Sequence, residues 1–387
     1  MATGLEEVIR KARELKASDI HIESGSPVFL RIQGQLRTAG EAIAHDRLKG
    51  WITDLLGPRE TALKSEQSID ISETLGGVRT RIHIFYSSRG LSIALRLLTQ
   101  QQPTLESLNL HPNLHKLLGF RHGLVLVCGP TGSGKSSTIA ALVHEMNVLY
   151  ALNMVTLEKP IEYFHRNQRS FIRQREVGRD TPSFEKGLVD AMREDPDVIV
   201  VGEMQDTETM RLTLNAAETG HLVFATLHAS SVAEALSRIL KAFPAEGRDN
   251  IAAQLGQVLQ AVVCQQLSFQ PKFNQRLPVC ELFFSTTGAR AKIRNQDLSS
   301  LPDTYYAGAE AGCMHMDRYR QWVDGLTSIH KPKADAAPLE KTVPNESASV
   351  VAERYQAKAQ IRKEKGDVYS IDETDDDLWT AIKKLEK

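Results

Sequence analysis

Apolar positions recur at helical spacing over residues 5–15, which predicts an amphipathic helix near the amino-terminal end. Strand-like runs at 19–23, 28–32, 77–86 and 91–98 follow, separated by turn signals, and describe a small α+β domain over residues 1–100. Gln100-Gln-Gln-Pro103-Thr is a polar, proline-marked link. Beyond it the period alternates. Short apolar runs at 124–128, 154–158, 198–202 and 222–227 interleave with helical patterns at 136–147, 184–193, 207–218 (stopped by Gly220) and 232–242. That alternation predicts an α/β domain over 101–330, with a mostly parallel sheet covered on both faces and ligands at the carboxyl ends of its strands. Residues 249–266 and 314–325 read as helices.

From residue 331 the composition changes. Lys331-Pro-Lys-Ala-Asp-Ala-Ala-Pro338 and Thr342-Val-Pro344 are linker-like, and 349–365 reads as a charged helix. The acidic run Asp372-Glu-Thr-Asp-Asp-Asp377 leads into Leu378-Trp379-Thr-Ala-Ile382. Residues 331–387 are read as a largely disordered, solvated tail, with a docking peptide as the other reading.

Chemistry enters at Gly129-Pro130-Thr131-Gly132-Ser133-Gly134-Lys135-Ser136, a complete GxxxxGK[ST] phosphate loop between an apolar strand and a helix start at Ser137. Glycines let backbone N–H groups approach phosphates, and the helix presents its positive end to the anion. Lys135 is expected to reach the β- and γ-phosphates, and the Ser136 hydroxyl to ligate Mg²⁺. The sequence therefore implies a bound nucleoside triphosphate.

Composition narrows the setting. With 41% apolar and 25% charged residues, the 387-residue chain has the balance of a soluble globular protein. No run approaches the roughly 18–20 apolar residues of a membrane span. The first ten residues lack the apolar centre of a secretory signal and include Glu6-Glu7, so a cytoplasmic location is expected. A formal net charge of −1 gives no reason to expect a nucleic-acid partner. Cys128, Cys264, Cys280 and Cys313 form no CxxC pair and read as buried thiols.

Carboxylates cluster at predicted strand ends. Glu203 stands just past the run Val198-Ile-Val-Val201, where it can hold Mg²⁺ through water or orient the attacking water. Glu158 ends another strand, stopped by Pro160. His221 and His228 bracket a third, too far apart for chelation on one helical face.

The segments 158–163, 195–206 and 218–231, taken in order behind the phosphate loop, resemble the secretion ATPase superfamily of type II secretion and type IV pilus motors. The resemblance spans residues 5–330, and 18–36 is similar to the PAS-like domain of that family. Within it the chain is most similar to pilus retraction ATPases of the PilT and PilU type. Residues 291–295 and 312–317 resemble the C-terminal helical motifs of retraction members, while 227–231, 261–267 and the acidic tail lean toward the PilU type.

The resemblance implies a PAS-like domain, a RecA-like P-loop ATPase domain with C-terminal helices, and a hexameric ring binding ATP and Mg²⁺ between the domains. It makes Glu203 the Walker-B-like catalytic carboxylate, assisted by Glu158, with His221 and His228 as a histidine box. Arg81 and Arg96 match arginines that close over the phosphates, and the nucleotide contacts extend to Ser137. It implies action at the cytoplasmic face of the inner membrane, through a platform protein rather than by insertion. Two positions depart from the family: Lys159 stands where an aspartate is usual, and Gln205 where an arginine is usual. Both bear on turnover rather than binding. Three functions are therefore carried forward: a retraction motor, an ATP-binding auxiliary subunit docking on a second retraction ATPase, and a protein-secretion or DNA-transfer ATPase.

Overall fold

A computed structural model describes residues 3–32, 34–98 and 102–331. Its first part runs α1 (Thr3–Glu14), β1 (Ala17–Glu23), β2 (Pro27–Ile32), β3 (Gln35–Ala42), α2 (His45–Leu56), α3 (Glu60–Glu66), β4 (Ser68–Leu75), β5 (Val78–Ser87) and β6 (Gly90–Leu97). The strands pair antiparallel in the order β3-β2-β1-β6-β5-β4. One face takes the apolar side chains: β5 alternates buried Ile82 and Ile84 with more open Arg81 and His83. Leu5 and Ile9 of α1 and Leu48 and Ile52 of α2 close that face into a separate core. This is the PAS-like α+β domain.

The second part comprises β7 (Gly123–Cys128), α4 (Lys135–Leu149), β8 (Asn153–Glu158), β9 (Phe171–Glu176), α5 (Phe184–Ala191), β10 (Val198–Val201), α6 (Thr207–Glu218), β11 (Leu222–Leu227) and α7 (Val232–Lys241). It continues through α8 (Arg248–Val258), β12 (Leu259–Gln270), β13 (Gln275–Phe284), α9 (Thr287–Arg294), α10 (Thr304–Ala307) and α11 (Met316–Asp324). The sheet order is β13-β12-β7-β11-β10-β8-β9, parallel throughout except for the β12–β13 hairpin. Every residue of β7, β10 and β11 is buried, as a sheet sandwiched between helix layers requires. This is the RecA-like arrangement, followed by C-terminal helices.

Helix starts are set locally. Ser183, Asp206, Ser231 and Thr286 each accept a backbone N–H in the first turn of α5, α6, α7 and α9. Such caps contribute about 1 kcal/mol apiece. One expected helix is corrected. Residues 249–266 are helical only as far as Val258, and Leu259–Gln270 is strand β12. Its β-branched, apolar run is buried between neighbours on both sides, and a buried run has no period by which to tell strand from helix. Strands β3, β4, β9 and β13 were not anticipated by the sequence pattern. The charged helix expected at 349–365 and the acidic run Asp372 to Asp377 lie outside the described residues. No helix among the described residues is long and apolar enough to cross a membrane.

Candidate nucleotide site

The phosphate loop leaves β7 at Cys128 and enters α4 at Lys135. Gly129 has φ 149°, and a Cβ there would lie 2.3 Å from the Gln265 carbonyl oxygen and 2.5 Å from Ser133 Oγ. No residue with a side chain fits. Gly132 and Gly134 also take positive φ, which folds the loop back over the helix end. No side chain caps α4, so the amides of its first turn are left to an anion. Lys135 Nζ donates to the carbonyls of Gly129 and Pro130 at 2.8 and 3.1 Å, and burial lowers its pKa. Ser133 Oγ is buried without a hydrogen-bond partner. These groups fit a nucleotide's phosphates.

A residue that the sequence reading placed in a helix locks this loop. Gln265 on β12 donates through Nε2 to the Ser133 carbonyl at 2.7 Å and accepts from Thr138 Oγ1 at 2.7 Å. One buried amide thus ties the loop to the first turn of α4. Its sequence signal is a polar residue directly after the apolar run 261–264, legible only once that run is read as a strand.

A cleft of about 490 Å³ opens from the loop toward the ends of β8, β10 and β11, lined by Lys135, Ser136, Glu158, Lys159, Glu203 and His228 among others. Glu203 reaches it because the next residue is anchored: Met204 is buried, and its N–H donates to Thr226 O at 3.0 Å. Thr226 Oγ1 in turn donates to the Gly202 carbonyl. The Glu203 carboxylate is then held on both sides. His228 Nε2 lies 2.9 Å from Oε1, and Gln205 Nε2 donates to Oε2 at 2.7 Å. His228 is itself fixed at its carbonyl by Arg238 at 2.7 Å.

Glu158 forms the far wall. Thr156 Oγ1 donates to Oε1 at 2.6 Å and Gln174 Nε2 to the same oxygen at 3.2 Å. Burial outweighs those two bonds and raises its pKa to about 7, with nearby Glu162 adding to the rise. Tyr163 OH meets Ser137 Oγ at 2.8 Å across the cleft. Behind the loop lies a second recess of about 380 Å³, with Leu108, Leu110, Leu267, Leu277 and Pro278 in its wall and Gly134 and Ser137 at the junction.

Three expected residues are not brought to this cleft. His221 precedes the first residue of β11, which pairs with Gly123 at the opposite end of β7 from the phosphate loop. Six residues of strand separate it from His228, roughly 20 Å at 3.3 Å per residue. Its Nδ1 faces the Ala216 carbonyl at 3.0 Å. Arg81 and Arg96 are cross-strand neighbours on β5 and β6, and Arg96 Nε donates to Asp19 at 2.9 Å. Within one chain neither lines the cleft. No cluster of three or more potential metal ligands exists among the described residues. A magnesium ion would therefore depend on Ser136, on Glu203 and on the nucleotide's own oxygens.

A glycine-rich phosphate loop on a parallel sheet, facing an acidic strand end, defines a P-loop nucleotide-binding protein of the RecA-like type. The family model for type II/IV secretion system proteins matches residues 2–369, and the chain belongs to that family. It is 35% identical over 307 residues to the type IV pilus retraction ATPase PilT of Pseudomonas aeruginosa, covering 78% of this chain and 88% of that protein. It is 33% identical over 337 residues to the type IV pilus ATPase PilU of the same organism, covering 86% and 88%. Among solved structures, the pilus retraction motor PilT with bound ADP matches with a TM-score of 0.73 at 35% identity, covering 82% of this chain and 96% of that one.

Proposed function

We propose that this protein is an ATP-hydrolysing motor that assembles as a hexameric ring and powers type IV pilus retraction, and with it twitching motility. The observation that carries the reading is Glu203, oriented by His228 and Gln205 at the rim of the phosphate-loop cleft. The likeness to PilT and PilU supports the direction of work.

In this reading the α4 amides, Lys135 and Ser136 bind the phosphates. Mg²⁺, when bound, neutralises charge on the transferred phosphoryl group. Glu203 accepts a proton from the attacking water and shares it with His228, and Glu158 supplies a second acid–base group on the other wall. The apolar recess beside Leu267 accommodates a purine base. The protein acts at the cytoplasmic face of the inner membrane, docking on a platform protein.

A second reading is an auxiliary subunit that binds ATP and works on another retraction ATPase. Lys159 favours it, because it brings a positive charge into the cleft wall beside Glu158. Mg²⁺-dependent ATP hydrolysis by the purified protein, compared with Glu203→Ala, separates the two. Turnover abolished by the substitution supports the motor; nucleotide binding without turnover supports the auxiliary role.

A further inference from the structure

Between Glu158 and the start of β9 the chain runs through Lys159-Pro160-Ile161-Glu162-Tyr163-Phe164-His165, and this loop is held from outside the nucleotide domain. Arg79, near the start of β5 in the PAS-like domain, extends its guanidinium into it. Nε and Nη2 both donate to the Ile161 carbonyl, at 3.3 and 3.1 Å. Nη2 also lies 3.5 Å from Glu176 Oε2, the carboxylate that accepts the Ile161 N–H at 3.2 Å. The Phe164 ring stacks under the guanidinium, 5.5 Å from its centre. Arg79 is 6% exposed, Glu176 3% and Ile161 not at all. One residue, Ile161, is therefore gripped at its carbonyl by the first domain and at its N–H by the second.

The grip sits next to the chemistry. Glu176 is the register partner of Glu158 at the ends of β9 and β8. Gln174 bridges the Glu158 carboxylate and the Tyr163 carbonyl at 3.2 and 2.8 Å. Tyr163 in turn meets Ser137, the residue after the phosphate loop. Gln102, within the interdomain link, donates to the Phe164 carbonyl. The loop thus touches the first domain on one side and both walls of the cleft on the other.

We infer that Arg79 is a positioning residue for turnover: by seating the Ile161 peptide it fixes how Glu158 and Tyr163 face the cleft, and so makes hydrolysis conditional on contact with the PAS-like domain. A buried guanidinium held by a carbonyl, a carboxylate and a ring is costly to maintain on packing grounds alone. Its fork geometry matches the two-bond seat on one carbonyl, which a lysine ammonium cannot reproduce.

The inference rests on the ATPase reading, and the experiment separates the two. Full-length wild type, Arg79→Gln and Arg79→Lys are compared for steady-state ATP hydrolysis, for Mg·ADP affinity, and for amide hydrogen exchange over residues 159–165. Displacing a positioned group typically costs about ten- to a hundredfold in rate. The expected result is that kcat falls about tenfold in Arg79→Gln and less in Arg79→Lys, while KM for ATP and Mg·ADP affinity stay within about threefold. Exchange over 159–165 rises in the same order. A kcat within about twofold of wild type, with unchanged exchange, overturns the inference. So does a proportional loss of kcat and affinity that Arg79→Lys does not relieve, which marks a purely structural role. If wild type binds Mg·ADP without hydrolysing ATP, the motor reading fails, and the exchange data alone decide on Arg79: raised exchange upholds the seat, unchanged exchange removes it.

Discussion

Gln205 Nε2 donates a 2.7 Å hydrogen bond to Glu203 Oε2, on the opposite side of the carboxylate from His228. The position where the family usually carries an arginine therefore still supplies a donor, but a neutral one, to the group proposed to activate water. The amide makes one bond to the carboxylate and brings neither the positive charge nor the two-pronged fork of a guanidinium. Glu203→Gln is expected to lower kcat by about a hundredfold or more, since general-base catalysis contributes about 10²–10⁴. Gln205→Ala should lower it by about three- to tenfold, because one orienting bond is lost and His228 remains. Steady-state ATPase assays with nucleotide affinity measured in parallel check both. Equal losses for the two variants would contradict the division of labour.

Lys135 spans the mouth of the phosphate loop through two backbone carbonyls. Lys135→Ala removes the cation that would meet the β- and γ-phosphates, and affinity for Mg·ATP should fall by at least about tenfold. Calorimetric titration reads this directly. Thermal stability should change little, because Lys135 is partly exposed and Gln265 still ties the loop to α4 at Ser133 and Thr138.

Gln265 is the test of how the loop is held. Gln265→Leu keeps most of the volume but leaves the Ser133 carbonyl and the Thr138 hydroxyl without this partner. Buried groups left unpaired cost about 1–3 kcal/mol each. The variant should lose stability on that scale in urea denaturation and bind nucleotide more weakly, whereas Gln266→Leu, one residue on, should do neither to the same degree.

The phosphate loop, Glu203, Glu158 and His228 were legible in the sequence because each sits where the backbone allows few residue types: a glycine-only turn or the end of a short apolar strand. Gln265 is hidden, since a strand buried on both faces carries no alternation and its run predicts a helix as readily as a strand. Arg79, Gln174 and Tyr163 were hidden for another reason. Their roles arise from contacts between distant segments, such as β5 with the loop after β8, and no local pattern encodes such a meeting. β9, with the sequence Phe-Ile-Arg-Gln-Arg-Glu, lies at the sheet edge and is polar enough to pass for a loop. His221, by contrast, is conspicuous in sequence but stands at the amino end of β11, opposite the strand ends that face the cleft of its own chain.

Glu158 gives a pH signature. An unfolded glutamate titrates near 4.5, while the folded protein holds this proton to about 7. Below both values the two states carry it alike; between them the folded state binds more protons, so this group's contribution to stability falls as pH rises. Above pH 7 the full penalty applies, up to about 3 kcal/mol. Glu158→Gln removes it, so the variant should gain about 1–3 kcal/mol over wild type between pH 5 and pH 8 in paired denaturation curves. Its turnover should fall over the same range.

The four thiols have a practical consequence. Cys128, Cys264, Cys280 and Cys313 are all free and buried, and burial raises the pKa of Cys280 and Cys313. Alkylating reagents attack exposed thiolates, so the native fold should leave all four unmodified. A single cysteine placed at Tyr306, which is 91% exposed, would then be the only reactive handle among the described residues. The wild-type chain needs no cysteine removal before a fluorophore is attached, so its movements can be followed with its own interior intact.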